Sequence, residues 1–514
     1  MRSIALRWPV VSKRLLALIS IFVFATAASG STKPRYGGTL RVEFLAQTIS
    51  IDPRGWKAGS REFATNERLA ALVFDRLVSV DSYGRFLPQL ATEWSHDAAS
   101  RRWQFTLRAG VKFSDGTALT AAEAAAALSP LLPEGVQVSA LGGNLIFQCA
   151  EARPDLLELL ASGRFFVFRA LADASFVGTG PFTLDGSAAA QKSAGSEPAA
   201  TGILAAAVFH FTANETCWAG RPFLDKIEVA YGIPPLRALF DLQAGRAELV
   251  ELAPDVVRRA SQANVRVWAS SPLTLYALRF GDEQQQAANE RLREALALSL
   301  DRATMAGVLL QRQAEPAAAL LPQWLSGYAF LFHVEMDLER AKQLRGSLPA
   351  NVAGGTSPLR LQTDVTGDLA RLLAERVAVN ARQTGIAVQP FSKTVRGGDT
   401  LAAGSADLHL FAWRISSLSP GEELRMLAKG AHAEGGAEGK LSEPDRRYAQ
   451  ERKLLEERTV MPLVALPDYA GLAANVRDWQ ASPWGEWRLA DAWLEPAAVQ
   501  KNSASAGAVS GARP

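Results

Sequence analysis

Apolar and polar positions change period repeatedly along this chain. Glu67 to Val80 (ERLAALVFDRLVSV) carries apolar residues at helical spacing and runs into a turn at Asp81-Ser82-Tyr83-Gly84. Arg101 to Val111 alternates around Trp103, Phe105 and Leu107, the pattern of a half-buried strand. Thr120, with Glu123 three residues on, forms a capping box ahead of an alanine-rich helix. Leu145–Cys149 reads as a strand, Asp155–Ala161 as a helix, and Gly178-Thr179-Gly180 as a structural turn. Strands are expected at Ile227–Val229 and Leu249–Leu252, with a helix over Pro235–Ala244 between them. The second half continues the alternation, with a strand at Leu275–Phe280, an amphipathic helix over Asn289–Leu310 and a strand at Leu359–Leu361. A helix from Asp368 to Gln383, terminated by Gly385, leads to a strand at Ile386–Val388. This alternation predicts an α/β protein with partly parallel sheets.

Length divides that picture into lobes. A chain of 514 residues exceeds what one core supports, roughly 250–300 residues. Fifty-five basic against 52 acidic side chains leave +3 net charge, which gives no electrostatic case for nucleic acid or a polybasic membrane contact. The N-terminus is distinctive: Arg2, Arg7, Lys13 and Arg14 precede the apolar run Leu15 to Ala25, followed by the small-x-small pattern Ala25-Thr26-Ala27. This is the pattern of a secretory signal peptide cleaved after Ala27. The run is shorter than the ~20 residues of a spanning helix, and no Cys ends it to carry a lipid. The expected location is therefore the periplasm, without a lipid anchor. Cys149 and Cys217 allow a single pairing, and an inert buried thiol suits Cys149 equally well.

Catalytic signatures are missing. The five histidines form no HExxH or His-x-His pair, no Cys/His cluster has metal spacing, and there is neither a G-x-S-x-G elbow nor a Walker loop. Glu422-Glu423 and Glu456-Glu457 are adjacent, share no helix face and read as solvated surface. His409, between Leu408 and Leu410, reads as a satisfied structural histidine. Twelve tryptophans do not by themselves argue for carbohydrate, since most stand in packing segments. The expectation is a protein that is not an enzyme, with no catalytic residues, metal or cofactor.

Several segments resemble one family. They include Tyr36-Gly37-Gly38-Thr39-Leu40, Leu72–Val78, Gly84–Trp94 and above all Trp103–Ala121 (WQFTLRAGVKFSDGTALTA). Val177–Phe182 with its GTGP turn, Gly220–Ile227 and Asn289–Leu296 extend the match. Together they resemble the extracytoplasmic solute-binding proteins of the peptide/nickel class, family 5 of the ABC transporter substrate-binding proteins. The resemblance implies an α/β, two-lobed periplasmic-binding-protein clamp with an extra subdomain on the first lobe, and mixed sheets with flanking helices. Its implied layout is a signal peptide over 1–27 and lobe I over 28–279, with the extra subdomain at about 55–150. Lobe II follows over 280–466, a return to lobe I over 467–499, and a disordered tail over 500–514. The chain would cross between lobes near Leu275–Phe280 and near Pro462–Pro467.

The implied function is a monomeric receptor that closes on a small-molecule or peptide ligand and delivers it to ABC permease subunits. A sensor or interaction protein keeping the fold without transport is the second reading, and a hydrolase the third. The family carries a cleft segment Trp-x-x-Asp-x-x-x-Pro, whose aspartate pairs with a peptide's terminal ammonium. Here the segment is Trp413 to Pro420, with Ser416 in the aspartate position. A buried ammonium without a countercharge costs several kcal/mol, which speaks against ordinary peptides, and Arg414 favours an anionic or polyhydroxylated solute. Trp413, Arg414, Ser416 and, after Ile51-Asp52-Pro53, Trp56 are the candidate ligand contacts.

Overall fold

The computed structural model describes residues 33–172, 175–185, 208–281, 290–349, 358–392, 406–433 and 443–496. The leader at 1–27, the small polar loop at 186–202 and the tail at 500–514 lie outside the described residues. Among the described residues no helix is long and apolar enough to cross a membrane.

One mixed sheet of eleven strands runs through the molecule. Its first-lobe part is built on Thr39–Glu43, parallel to both Lys226–Ala230 and Leu249–Leu252. Its second-lobe part is built on Leu359–Thr363, parallel to both Val388–Ser392 and Leu408–Arg414. Two long antiparallel strands, Arg266–Phe280 and Val460–Leu472, join the parts. Their register shifts between Ala269 and Thr274, where Pro272 faces Pro467. Neither proline has an amide hydrogen to give to the ladder, so pairing is weakest there. Buried side chains change company at the same place. Ala470 and Leu472 belong to the core around Leu40, Ile227 and Leu249, whereas Leu273, Leu275 and Leu466 pack in cores with Leu408–Trp413.

A separate antiparallel sheet, ordered Ala91–His96, Arg102–Leu107, Asn144–Cys149, Val136–Leu141, carries the helix Ala121–Leu128. Thr120 and Glu123 form the expected capping box at its start. Three predicted elements differ. The apolar stretch 67–80 is not one helix: the helix spans Arg61–Val73, and Val78–Val80 is a strand. The helix stops because the Gly180 amide takes the Val73 carbonyl at 2.9 Å, and a Cβ on Gly178 would lie 2.0 Å from that carbonyl oxygen. The 289–310 helix likewise breaks. It ends at Ser299, Asp301 caps a new turn through Thr304 at 2.9 Å, and Met305–Leu309 forms a π turn. The strand placed at Ile386–Val388 starts only at Val388, since the Ile386 amide closes the preceding helix on the Ala381 carbonyl. Cys149 and Cys217 are both buried and free.

Candidate functional site

The strand Leu408–Arg414 pairs with Arg266–Phe280 up to Thr274 opposite Arg414, then leaves the sheet toward the first lobe. Two amides fix its exit: Arg414 N–H donates to the Gly59 carbonyl (2.9 Å) and Ile415 N–H to that of Leu273 (2.8 Å). Trp413 lies between two glycines. A Cβ on Gly59 or Gly430 would stand 2.4 or 2.3 Å from its ring, so only glycine admits the indole there. The indole Nε1–H donates to Oε1 of Glu423 at 2.6 Å. The other oxygen of Glu423 accepts from the amides of Ser416 (3.1 Å) and Ser417 (2.8 Å) and from the Ser416 hydroxyl (3.1 Å). Burial pushes the Glu423 carboxyl up to about 7, against the pull of these donors toward ionisation. Ser419 then caps the helix Pro420–Gly430, accepting from the Glu422 amide at 3.2 Å.

The same segment touches residues 155–163. Ser419 Oγ donates to Asp155, the Leu418 amide donates to Ser162 Oγ at 2.9 Å, and the Ser416 carbonyl packs on Gly163. Beside it, Arg414 donates through Nη2 to Asp468 Oδ2 (2.8 Å) and through Nη1 to the Ile415 carbonyl. Arg68 of the first-lobe helix donates to the same Asp468 oxygen at 2.5 Å and lies 4.4 Å over the Trp487 ring. Burial opposes ionisation of Asp468, but the two guanidiniums outweigh it and hold its carboxyl below the ordinary value. Arg76 is paired with Glu67 at 2.6 Å and Glu486 at 3.2 Å. The crevice these groups share with Ser416 and Leu418 measures only about 20 Å³. A larger pocket of about 580 Å³ is also lined by Ile415.

Residues 85–435 match the family model of the bacterial extracellular solute-binding proteins, family 5 Middle. The chain belongs to this family. A curated relative, the nickel-binding periplasmic protein of Escherichia coli (strain K12), is 25% identical over 367 residues, covering 63% of this chain and 66% of that protein. The match thus spans just under two thirds of the relative's length. NikA from Brucella suis in complex with Fe(III)-EDTA shares the fold at TM-score 0.69, with 18% identity over 89% of this chain and 100% of that one. Haemophilus influenzae OppA in complex with RPPGFSPFR does so at 0.68, with 16% identity over 90% and 100%.

Within this family fold the candidate residues do not converge on one open surface. Trp413, Arg414 and Ser416 are neighbours but buried, at 7%, 4% and 6% exposure, and their side-chain polar atoms are engaged inside the chain except Arg414 Nε, which is buried without a hydrogen-bond partner. Trp56 stands apart in the first-lobe core, donating to the Ser50 carbonyl (2.9 Å) and set edge-on against Phe63. His409 bonds Asp364 at 3.0 Å. The solvated reading of Glu422-Glu423 is corrected: Glu423 is fully buried and Glu422 nearly so, because the loop amides and the indole need an acceptor there. Sequence reasoning also missed Asp468, Arg68 and Glu451. The one available signal was Ser419-x-x-Glu422, a capping-box spacing that places a helix start beside the loop. Among the described residues no three His, Cys, Asp or Glu side chains are grouped as a metal site requires.

Proposed function

We propose that this protein is an extracytoplasmic receptor that captures a small solute between its lobes and hands it to the membrane permease of an ABC importer. The observation that carries this reading is the pair of long strands with Pro272 opposite Pro467, flanked by separate cores. Two connections weakened at one level allow the lobes to rotate as rigid bodies, which is how a clamp converts ligand contacts into closure. The proposed lobe boundaries therefore fall at these prolines. On this proposal the first crossing lies a few residues before Leu275–Phe280, where the resemblance implies it, and the second within the implied Pro462–Pro467. Export through a cleaved leader, action as a monomer and the lack of an enzymatic reaction belong to the same proposal. Family membership supports it.

The test is to purify the protein from its native compartment without refolding, denature it and identify released small molecules by mass spectrometry. Each is then added back with small-angle scattering as the closure readout. A near-stoichiometric solute that reduces the radius of gyration is the expected result. No released solute, and no closure with any member of a broad solute panel, would refute the receptor function.

A further inference from the structure

Resting on the receptor reading, we infer that the solute has an apolar body with a cationic end, seated in the pocket of about 580 Å³ beside Ile415. Leu273 and Leu275 of one connecting strand form its floor, Ile415 comes from the 413–420 segment, and Trp324 and Phe330 contribute aromatic walls. The volume falls within the roughly 300–1,000 Å³ typical of small-molecule sites. The crevice lined by Ser416, Ser417 and Leu418, at about 20 Å³, holds little more than one water.

Charge decides the ligand class. Among the described residues, Glu315 is the one charged group lining the pocket, and no Lys, Arg or His joins it. An anion entering would lose hydration without gaining a countercharge, whereas a cation gains Glu315. The arginine next to Trp413 does not alter this, because Arg414 is paired with Asp468. The wall is also fastened. Buried Glu451 accepts from the amides of Leu320 (2.6 Å) and Leu321 (3.1 Å) and from the Tyr328 hydroxyl (2.9 Å). Trp324 Nε1–H donates to the Pro272 carbonyl at 3.0 Å, tying the wall to the strand at the level of the register shift. An occupant therefore touches both the wall and the connecting strand, where contacts can bias the angle between lobes.

Calorimetric titration of the full mature chain with 4-phenylbutylamine, 4-phenylbutan-1-ol and 4-phenylbutyrate tests this. The amine should bind tightest and the acid at least about tenfold more weakly. Glu315→Gln, at an exposed position, should bring the amine to the level of the alcohol, and Ala319→Trp, which fills the pocket, should abolish binding of both. Equal binding of acid and amine, amine binding untouched by both variants, or no binding of any probe overturns the proposal. Closure on an anionic or sugar solute released from the native protein, undiminished by Ala319→Trp, would sink the pocket assignment and leave the receptor intact. Absence of closure on every solute would instead remove the receptor reading itself.

Discussion

Asp468→Asn tests whether the charge beside the cleft segment is consumed within the protein. The substitution keeps the shape and one acceptor but deletes the countercharge of Arg68 and Arg414, whose side chains are 2% and 5% exposed. Arg68 would keep Glu251 at 3.9 Å, and Arg414 only the Ile415 carbonyl. Removing one partner from a buried ion pair costs about 3–5 kcal/mol, because the remaining charge stays desolvated. We expect a loss of that size at pH 7, measured by urea unfolding followed together by tryptophan fluorescence and far-UV circular dichroism. Coincident transitions license a single free energy. The sign with pH follows from the depressed carboxyl: its contribution is complete above the unfolded value of 3.8 and is lost as pH falls through the lower folded value. Adding Arg414→Met should restore part of the loss, since the stranded guanidinium is then gone. A cost under about 1 kcal/mol, the scale of an exposed pair, would refute the buried latch and return Arg414 to solute binding.

Glu423 and Glu451, both raised to about 7 from 4.5, should act in the opposite sense. The folded state holds their protons more tightly, so their stabilising contribution is present below pH 4.5 and is lost as pH rises toward 7. Thermal midpoints measured across that range should fall, and Glu423→Gln or Glu451→Gln should flatten the profile; an unchanged slope in both variants contradicts the assignment. Gly430→Ala should destabilise by about 1–3 kcal/mol through overpacking on the Trp413 ring, read by denaturant unfolding. Wild-type stability in that variant would show that the indole is not held between glycines. Titration with a thiol reagent should find no reactive cysteine in the native protein and both Cys149 and Cys217 in unreduced denaturant, whereas silence in denaturant would reveal a disulfide.

Local periodicity carried most of the fold. The capping box at Thr120, the strand at Leu249–Leu252 and the helix starting at Asp368 occur where their patterns place them, because each rests on neighbours close in sequence. At Val73 periodicity failed because a distant backbone intervened. Nothing near Val73 announces that Gly178 and Gly180 will dock on its carbonyl and end the helix. The candidate site was legible as a segment and opaque as a surface. Trp413 and Pro420 mark the family's loop, but which side chains face outward depends on Asp468, 54 residues away in sequence, and on Gly59. Adjacent glutamates look solvated in a linear reading, and only the loop's unpaired amides create the demand that buries Glu423.

That burial changes what can be inferred from Ser416. Reading the position alone, replacement of the family's aspartate leaves a cleft without an acid. In the folded chain a carboxyl group is present seven residues further on, in the first turn of the next helix, with both oxygens occupied by Trp413, Ser416 and Ser417. The loop's polar groups therefore stabilise the loop and its contacts with Ser162 and Asp155. On the receptor reading proposed above, these bonds join the two lobes and favour closure whatever the solute. They set the fraction of molecules in the binding-competent form, and apparent affinity rises in proportion to that fraction. Specificity must then come from surfaces that retain volume and lack internal partners. Such a division of labour predicts that substitutions at Ser162 or Asp155 shift affinity for all solutes together, while those around the apolar pocket discriminate among them.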